Sequence, residues 1–144
     1  MLITGEWFPC PDDVVRPVIF GEVLSGVGNW NPVPFLLDTG ADRTVLSADV
    51  LFKLALPLDN TQEHISGLGG VVDSVVLATK IRLIRETGAP VFFSGRFAAV
   101  TEATALDISV LGRDITDNFA VIVDRPQDAV CLVSQRHSYS IVQR

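Results

Sequence analysis

An all-β fold is what this chain predicts, and three observations carry the expectation. Twenty valines and nine isoleucines stand against two lysines, Lys53 and Lys80, and β-branched side chains lose rotamer freedom in a helix but pack well on a pleated surface. Apolar residues alternate with other residues over 79–83 and again over 91–99, which is the two-residue period of a half-buried strand. Glycine and proline clusters cut such runs at hairpin spacing. The 144 residues suit one domain, and with 48% hydrophobic and 19% charged residues there is ample material for a core and no compositional case for disorder.

In chain order, Pro9, Pro11 and Pro17 cannot donate to a ladder, so residues 1–16 read as an N-terminal arm whose Trp7 and Phe8 must anchor elsewhere. The domain proper then covers 17–134, with a C-terminal tail over 135–144. Residues 18–24 and 33–37 predict two strands, joined by the turn-rich Ser25-Gly26-Val27-Gly28-Asn29-Trp30-Asn31. Pro32 and Pro34 stand where a phosphate-binding helix would begin, so the Gly26-Val27-Gly28 piece reads as a turn and not as a dinucleotide loop. Ser47, Asp49 and Pro57 mark the cap, the acidic first turn and the stop of one short helix. Residues 61–66 and 71–77 flank Gly67-Leu68-Gly69-Gly70, a hairpin tipped with glycine. A second hairpin joins 79–83 to 91–99 through Glu86-Thr87-Gly88-Ala89-Pro90. Residues 108–111 run into Gly112-Arg113-Asp114 and a second short helix, and 119–124 pairs across Arg125-Pro126-Gln127-Asp128 with 130–133.

Composition excludes several functions. The net charge is -6 and the arginines are scattered, so a polyanion meets repulsion and nucleic acid is not an expected partner. Cys10 and Cys131 lack metal-ligand spacing and read as buried free thiols. With His64 and His137 the only histidines, a Ser-His-Asp triad, a Cys-His dyad or an HExxH zinc site would have almost nothing to draw on. No run is long and apolar enough to span a bilayer and the first residues lack a secretory signal pattern, so no membrane partner and a cytoplasmic location are expected.

One constellation carries chemistry. Phe35-Leu36-Leu37-Asp38-Thr39-Gly40-Ala41-Asp42 puts a carboxylate at the end of an apolar strand, where desolvation is costly unless the group is hydrogen-bonded, solvated or functional. A glycine-tipped hairpin follows about thirty residues later, and Ser109-Val110-Leu111-Gly112-Arg113-Asp114 comes after it. These three motifs, in this order, resemble the retropepsin-like aspartic proteases, whose signatures are a hydrophobic-hydrophobic-Asp-Thr-Gly-Ala loop, a glycine-rich flap and a hydrophobic-hydrophobic-Gly-Arg-Asn/Asp segment. The resemblance implies an acid-protease barrel with a flap hairpin and one or two short helices, assembled as a two-fold homodimer without metal or other cofactor.

It further implies that Asp38 is the catalytic carboxylate, that the Thr39 hydroxyl bridges the two active-site loops and that Gly40 admits the substrate backbone. Ala41 and Asp42 would hold the substrate main chain, with Arg113 pairing to Asp42 as structural support. Gly67, Leu68 and Gly69 would form the flap tip, and Leu36, Val45, Ile108 and Val110 would line apolar subsites. The chain departs from the viral pattern at Arg43, where an acid is common, at Ser66, where a further flap glycine is common, and in its longer segment after Gly112. Phe8-Pro9 is similar to the aromatic-proline bonds that viral members cut in self-processing, but a packed anchor is the expected role of Phe8.

Aspartic proteolysis needs two carboxylates sharing a proton, one taking a proton from water and the other giving one to the scissile carbonyl. The chain holds a single Asp-Thr-Gly; Glu86-Thr87-Gly88-Ala89 imitates it, but Arg85 and Pro90 flank it and a turn is the expected reading. A homodimer supplies the second Asp38 by symmetry, with strands near the chain ends (130–133, the N-terminal arm and 140–142) as interface candidates. Ala41 offers no hydroxyl to the charged pair, which moves the expected pH optimum toward neutral. The expected activity is therefore hydrolysis of polypeptides by an aspartic endopeptidase; the alternative is a non-catalytic peptide-binding or dimerisation module on the same fold.

Overall fold

The computed structural model describes residues 1–57, 62–67 and 70–134. Local chemistry accounts for the hairpins. Strand β3 (Val15–Leu24) turns into β4 (Trp30–Leu37) where Ser25 N–H donates to the Asn29 carbonyl at 2.8 Å and Gly28 takes a left-handed φ of 88°. Strand β7 (Gly70–Leu83) returns as β8 (Val91–Val100) through a turn in which Gly88 has a φ of 92°. Strand β10 (Ala120–Asp124) pairs with β11 (Ala129–Val133) around Asp128, also left-handed. Between these lie β5 (Val45–Leu46), α1 (Ala48–Leu54), β6 (Gln62–Gly67), β9 (Ser109–Leu111) and α2 (Arg113–Thr116), preceded in the chain by β1 (Leu2–Thr4) and β2 (Glu6–Pro9).

Strand pairing closes a ring. The order β3-β4-β9-β5-β8-β7 returns to β3 through Gly21↔Leu83, Glu22↔Arg82 and Val23↔Ile81, with β2 attached beside β3 and β6 beside β7. Closure gives each ring strand a partner on both sides along part of its length and seals Ile19, Phe35, Leu77, Ile81, Leu83 and Leu111 inside, each at 0% exposure. Each such side chain contributes about 1.5–3 kcal/mol on burial. The sheet β1-β11-β10 packs Ile3, Val130 and Leu132 onto the same core. This is the all-β barrel expected from the sequence.

Two expectations need correction. Residues 1–16 are not merely an arm: β1 pairs with β11 and β2 with β3, while β3 itself starts at Val15, inside that segment. The prolines are tolerated because Pro9 ends an edge strand and Pro17 lies beyond the β4 ladder, which begins at Val18. The same reason lets β4 reach back to Trp30, since its other neighbour, β9, pairs only with Phe35, Leu36 and Leu37 and leaves Pro32 and Pro34 on an open side. Second, the runs read as 71–77 and 79–83 are one strand, β7, shared by β6 at one end and β3 at the other. Phe8 is an anchor, with its ring edge-on to Phe20 at 5.6 Å, and Trp7 packs against the core. The proposed tail, 135–144, lies outside the described residues.

Candidate active site

The site begins with the pleat of β4. Phe35 and Leu37 turn into the core, so Leu36 and Asp38 share the other face. β9 inserts between β4 and β5, parallel to the first and antiparallel to the second, which sets Leu36, Val110 and Val45 in one row. Asp38 N–H extends the β4–β9 ladder by donating to the Leu111 carbonyl at 3.3 Å. The chain then turns tightly, with Gly40 N–H donating to Asp38 Oδ1 at 2.9 Å and Ala41 N–H to the Asp38 carbonyl at 3.2 Å. Asp38 is half-buried, Thr39 and Gly40 are exposed.

A second segment holds the loop from behind. Arg113 N–H donates to the Ala41 carbonyl at 2.8 Å and Asp114 N–H to the Asp42 carbonyl at 3.2 Å. Gly112 has no alternative at its position, because a Cβ there would lie 2.2 Å from the carbonyl carbon of Arg43. Thr44, fully buried, donates from N–H and hydroxyl to the Asp114 carboxylate and accepts from Gly112 N–H at 3.1 Å. The guanidinium of Arg113 bonds to Asp42 Oδ1, and that bond raises the arginine above its ordinary range. Both partners are largely exposed, so the pair orients Asp42 and contributes little stability.

In front of Asp38 lies an apolar cavity of about 220 Å³ lined by Asp38, Ala41, Val45, Val110 and the side chains Ile65, Val72, Val100, Ala105 and Leu106. Ile65 and Val72 face each other across the β6–β7 hairpin, so the flap forms one wall. Of the residues expected to line subsites, Val45 and Val110 line this cavity; Leu36 neighbours Val110 in the row but does not line it. Ile108 lines a separate cavity of about 190 Å³ between β4 and α1, because it precedes β9 on the side where Pro34 and Val50 stand. Gly67 pairs with Gly70 at the end of the hairpin, and Leu68 and Gly69 lie outside the described residues. Glu86-Thr87-Gly88-Ala89 is a turn, tied to β1 by Glu86 N–H donating to the Leu2 carbonyl at 3.0 Å. Ile65, Val72, Val100, Ala105, Leu106 and Thr44 were not singled out from the sequence, and Asp114 was quoted only as the end of the third motif, without a role. Apolar wall residues read there as core, and nothing local announces that Asp114 meets Thr44 across 70 positions.

Among the described residues no three His, Cys, Asp or Glu side chains are grouped to hold a metal ion. No helix of the described residues is long and apolar enough to cross a membrane.

Comparison with known proteins agrees with this geometry. No curated protein matches the chain. Among solved structures, the EIAV protease in complex with the inhibitor HBY-793 is similar at 25% identity, over 71% of this chain and 86% of that one, with a TM-score of 0.50. A retropepsin-like aspartic protease from Rickettsia conorii superposes over 92% of this chain and 88% of its own, with a TM-score of 0.57 at 19% identity, a likeness of fold. The family model for aspartyl proteases matches residues 23–115, from within β3 through the cavity walls to α2. A match that takes in Asp38, the hairpin wall and the Gly112 clamp together identifies the chain as a member of the aspartyl protease family, of the retropepsin-like type.

Proposed function

We propose that the protein is a homodimeric aspartic endopeptidase in which Asp38 and its symmetry mate activate water against a peptide bond. The observation that carries this reading is a half-buried Asp38, held by a tight turn at the end of β4 and facing an aliphatic cavity. One carboxylate takes a proton from water as the oxygen attacks the scissile carbonyl carbon, while the other gives its proton to the carbonyl oxygen. On breakdown the carboxyl that took the water proton gives it to the leaving nitrogen, the other carboxylate takes a proton back from a hydroxyl of the tetrahedral intermediate, and the C–N bond breaks to release acid and amine. One chain has one such loop, so the second carboxylate comes from a second copy across a two-fold axis. Exposure of Thr39 and Gly40 supports this, since it leaves the loop accessible to a second copy. An extended polypeptide would add along the cleft like a strand, with an aliphatic side chain in the cavity beside Asp38. The EIAV neighbour, a protease solved in complex with an inhibitor, supports a ligand in this cleft.

The test is cleavage of a peptide library, read by mass spectrometry, with and without pepstatin and with Asp38→Asn. Cleavage that pepstatin blocks and Asp38→Asn reduces by about three orders of magnitude or more is the expected result. Turnover that survives Asp38→Asn refutes the assignment, and binding without turnover at any pH favours a peptide-binding module.

A further inference from the structure

We propose that Asp114 is the positioning residue of the active-site loop: its carboxylate, bonded to the Thr44 amide and hydroxyl, sets the height and tilt of the segment that carries Asp38. The inference rests on the aspartic peptidase reading and adds a residue to it. The Thr44 amide lies 2.9 Å from Oδ1 and 3.0 Å from Oδ2 of Asp114, and the Thr44 hydroxyl donates to Oδ1 at 2.7 Å. The same hydroxyl accepts from Gly112 N–H at 3.1 Å, so one threonine oxygen ties both ends of the clamp.

The reason to expect an effect at Asp38 is the shape of the loop. Asp38 enters it fixed to β9 through Leu111, and Thr44 leaves it fixed to Asp114; between them Ala41 and Asp42 are held through their carbonyls by Arg113 and Asp114 amides. Five residues strung between two such points have little slack, so a shift at Thr44 reaches the Gly40 amide that bonds to the Asp38 carboxylate. Charge-assisted bonds to a buried donor are the strong kind, and Thr44 is at 0% exposure. Asp114 also borders an open groove of about 420 Å³ with Phe93, Phe97 and Ile115, so its truncation leaves wet space and not a sealed void. A variant there can lose the bonds and keep the barrel.

The experiment compares Asp114→Ala, Asp114→Asn and wild type for kcat and KM on one cleaved peptide, and for backbone amide hydrogen exchange at Gly40, Thr44 and Gly112. Asp114→Ala is expected to lower kcat by about tenfold or more with KM within about twofold, and to speed exchange at Thr44 and Gly40. Asp114→Asn keeps an oxygen at the Oδ1 position and is expected to recover most of both losses. Unchanged exchange at Gly40 in Asp114→Ala, or a loss in Asp114→Asn as large as in Asp114→Ala, overturns the proposal. If Asp114→Ala does not fold, Thr44→Val is read by the same two measures, with faster Gly40 exchange expected and unchanged exchange again overturning it. If wild type cleaves nothing, the peptidase reading fails, and the exchange comparison alone decides whether Asp114 positions the loop.

Discussion

Phe35 and Leu37 point into the barrel while Leu36 and Asp38 point away, so the period of β4 decides on which side the carboxylate emerges. That choice was open to reading, because the alternation and the Asp-Thr-Gly turn are local. Asp114 was not, because its partner Thr44 becomes a neighbour only through the fold. Outside the site, Arg16 forms a two-point contact with Asp12, at 2.7 and 2.6 Å, and holds that carboxyl down to about 2. A depressed carboxylate contributes stability above the unfolded value near 4 and loses it as pH falls toward 2. Asp12 is exposed and Arg16 is only half-buried, so the contribution is small and salt-sensitive. Wild type and Asp12→Asn should differ slightly in denaturant midpoint at pH 6 and low salt, and converge near pH 2. A difference that grows on acidification would contradict this account.

The elements most legible in the chain were those whose signals are local: the β3–β4 turn at Gly28, α1 bounded by Ser47 and Pro57, and the β10–β11 hairpin around Asp128. β2 was missed because Pro9, Pro11 and Pro17 argue against a strand, and β1 because its partner β11 lies at the far end of the chain. At α1 the expected cap has a different physical basis. Ser47 sits at the N-cap position with no side-chain cap bond; its amide instead donates to Ser109 Oγ at 2.9 Å, in a site where Ser109 is at 2% exposure. Helix start and β9 are thereby fastened together. Ser109→Ala, which orphans a buried amide, should cost about 1–3 kcal/mol in urea unfolding, whereas Ser47→Ala should cost less than about 1 kcal/mol. The reverse order would show that an ordinary cap is at work after all.

At the scale of the molecule, the fold followed from composition and turn spacing, and the family from three ordered motifs, yet neither could announce the six-strand closure through β3 and β7. A second copy is the remaining requirement of the proposed chemistry. Sedimentation should give about twice the 15.6 kDa chain mass, in wild type and in Asp38→Asn alike, since the asparagine keeps an oxygen to accept the Gly40 amide and hold the turn. With Ala41 offering no hydroxyl to the charged pair, the pH–rate profile should peak above about pH 4. A monomeric mass with full activity would remove the shared-carboxylate mechanism.

The strand that completes the ring, β9, comes from the last third of the chain yet lies between β4 and β5 from the first. During synthesis, a ribosome-bound chain that has emerged only as far as residue 100 already displays Asp38 but has no Leu111 to receive its amide and no Val110 to wall the cavity. The Asp38 site is thus completed only when β9 is in place, and a nascent or truncated polypeptide ending before β9 carries the acidic group without the neighbours that frame it.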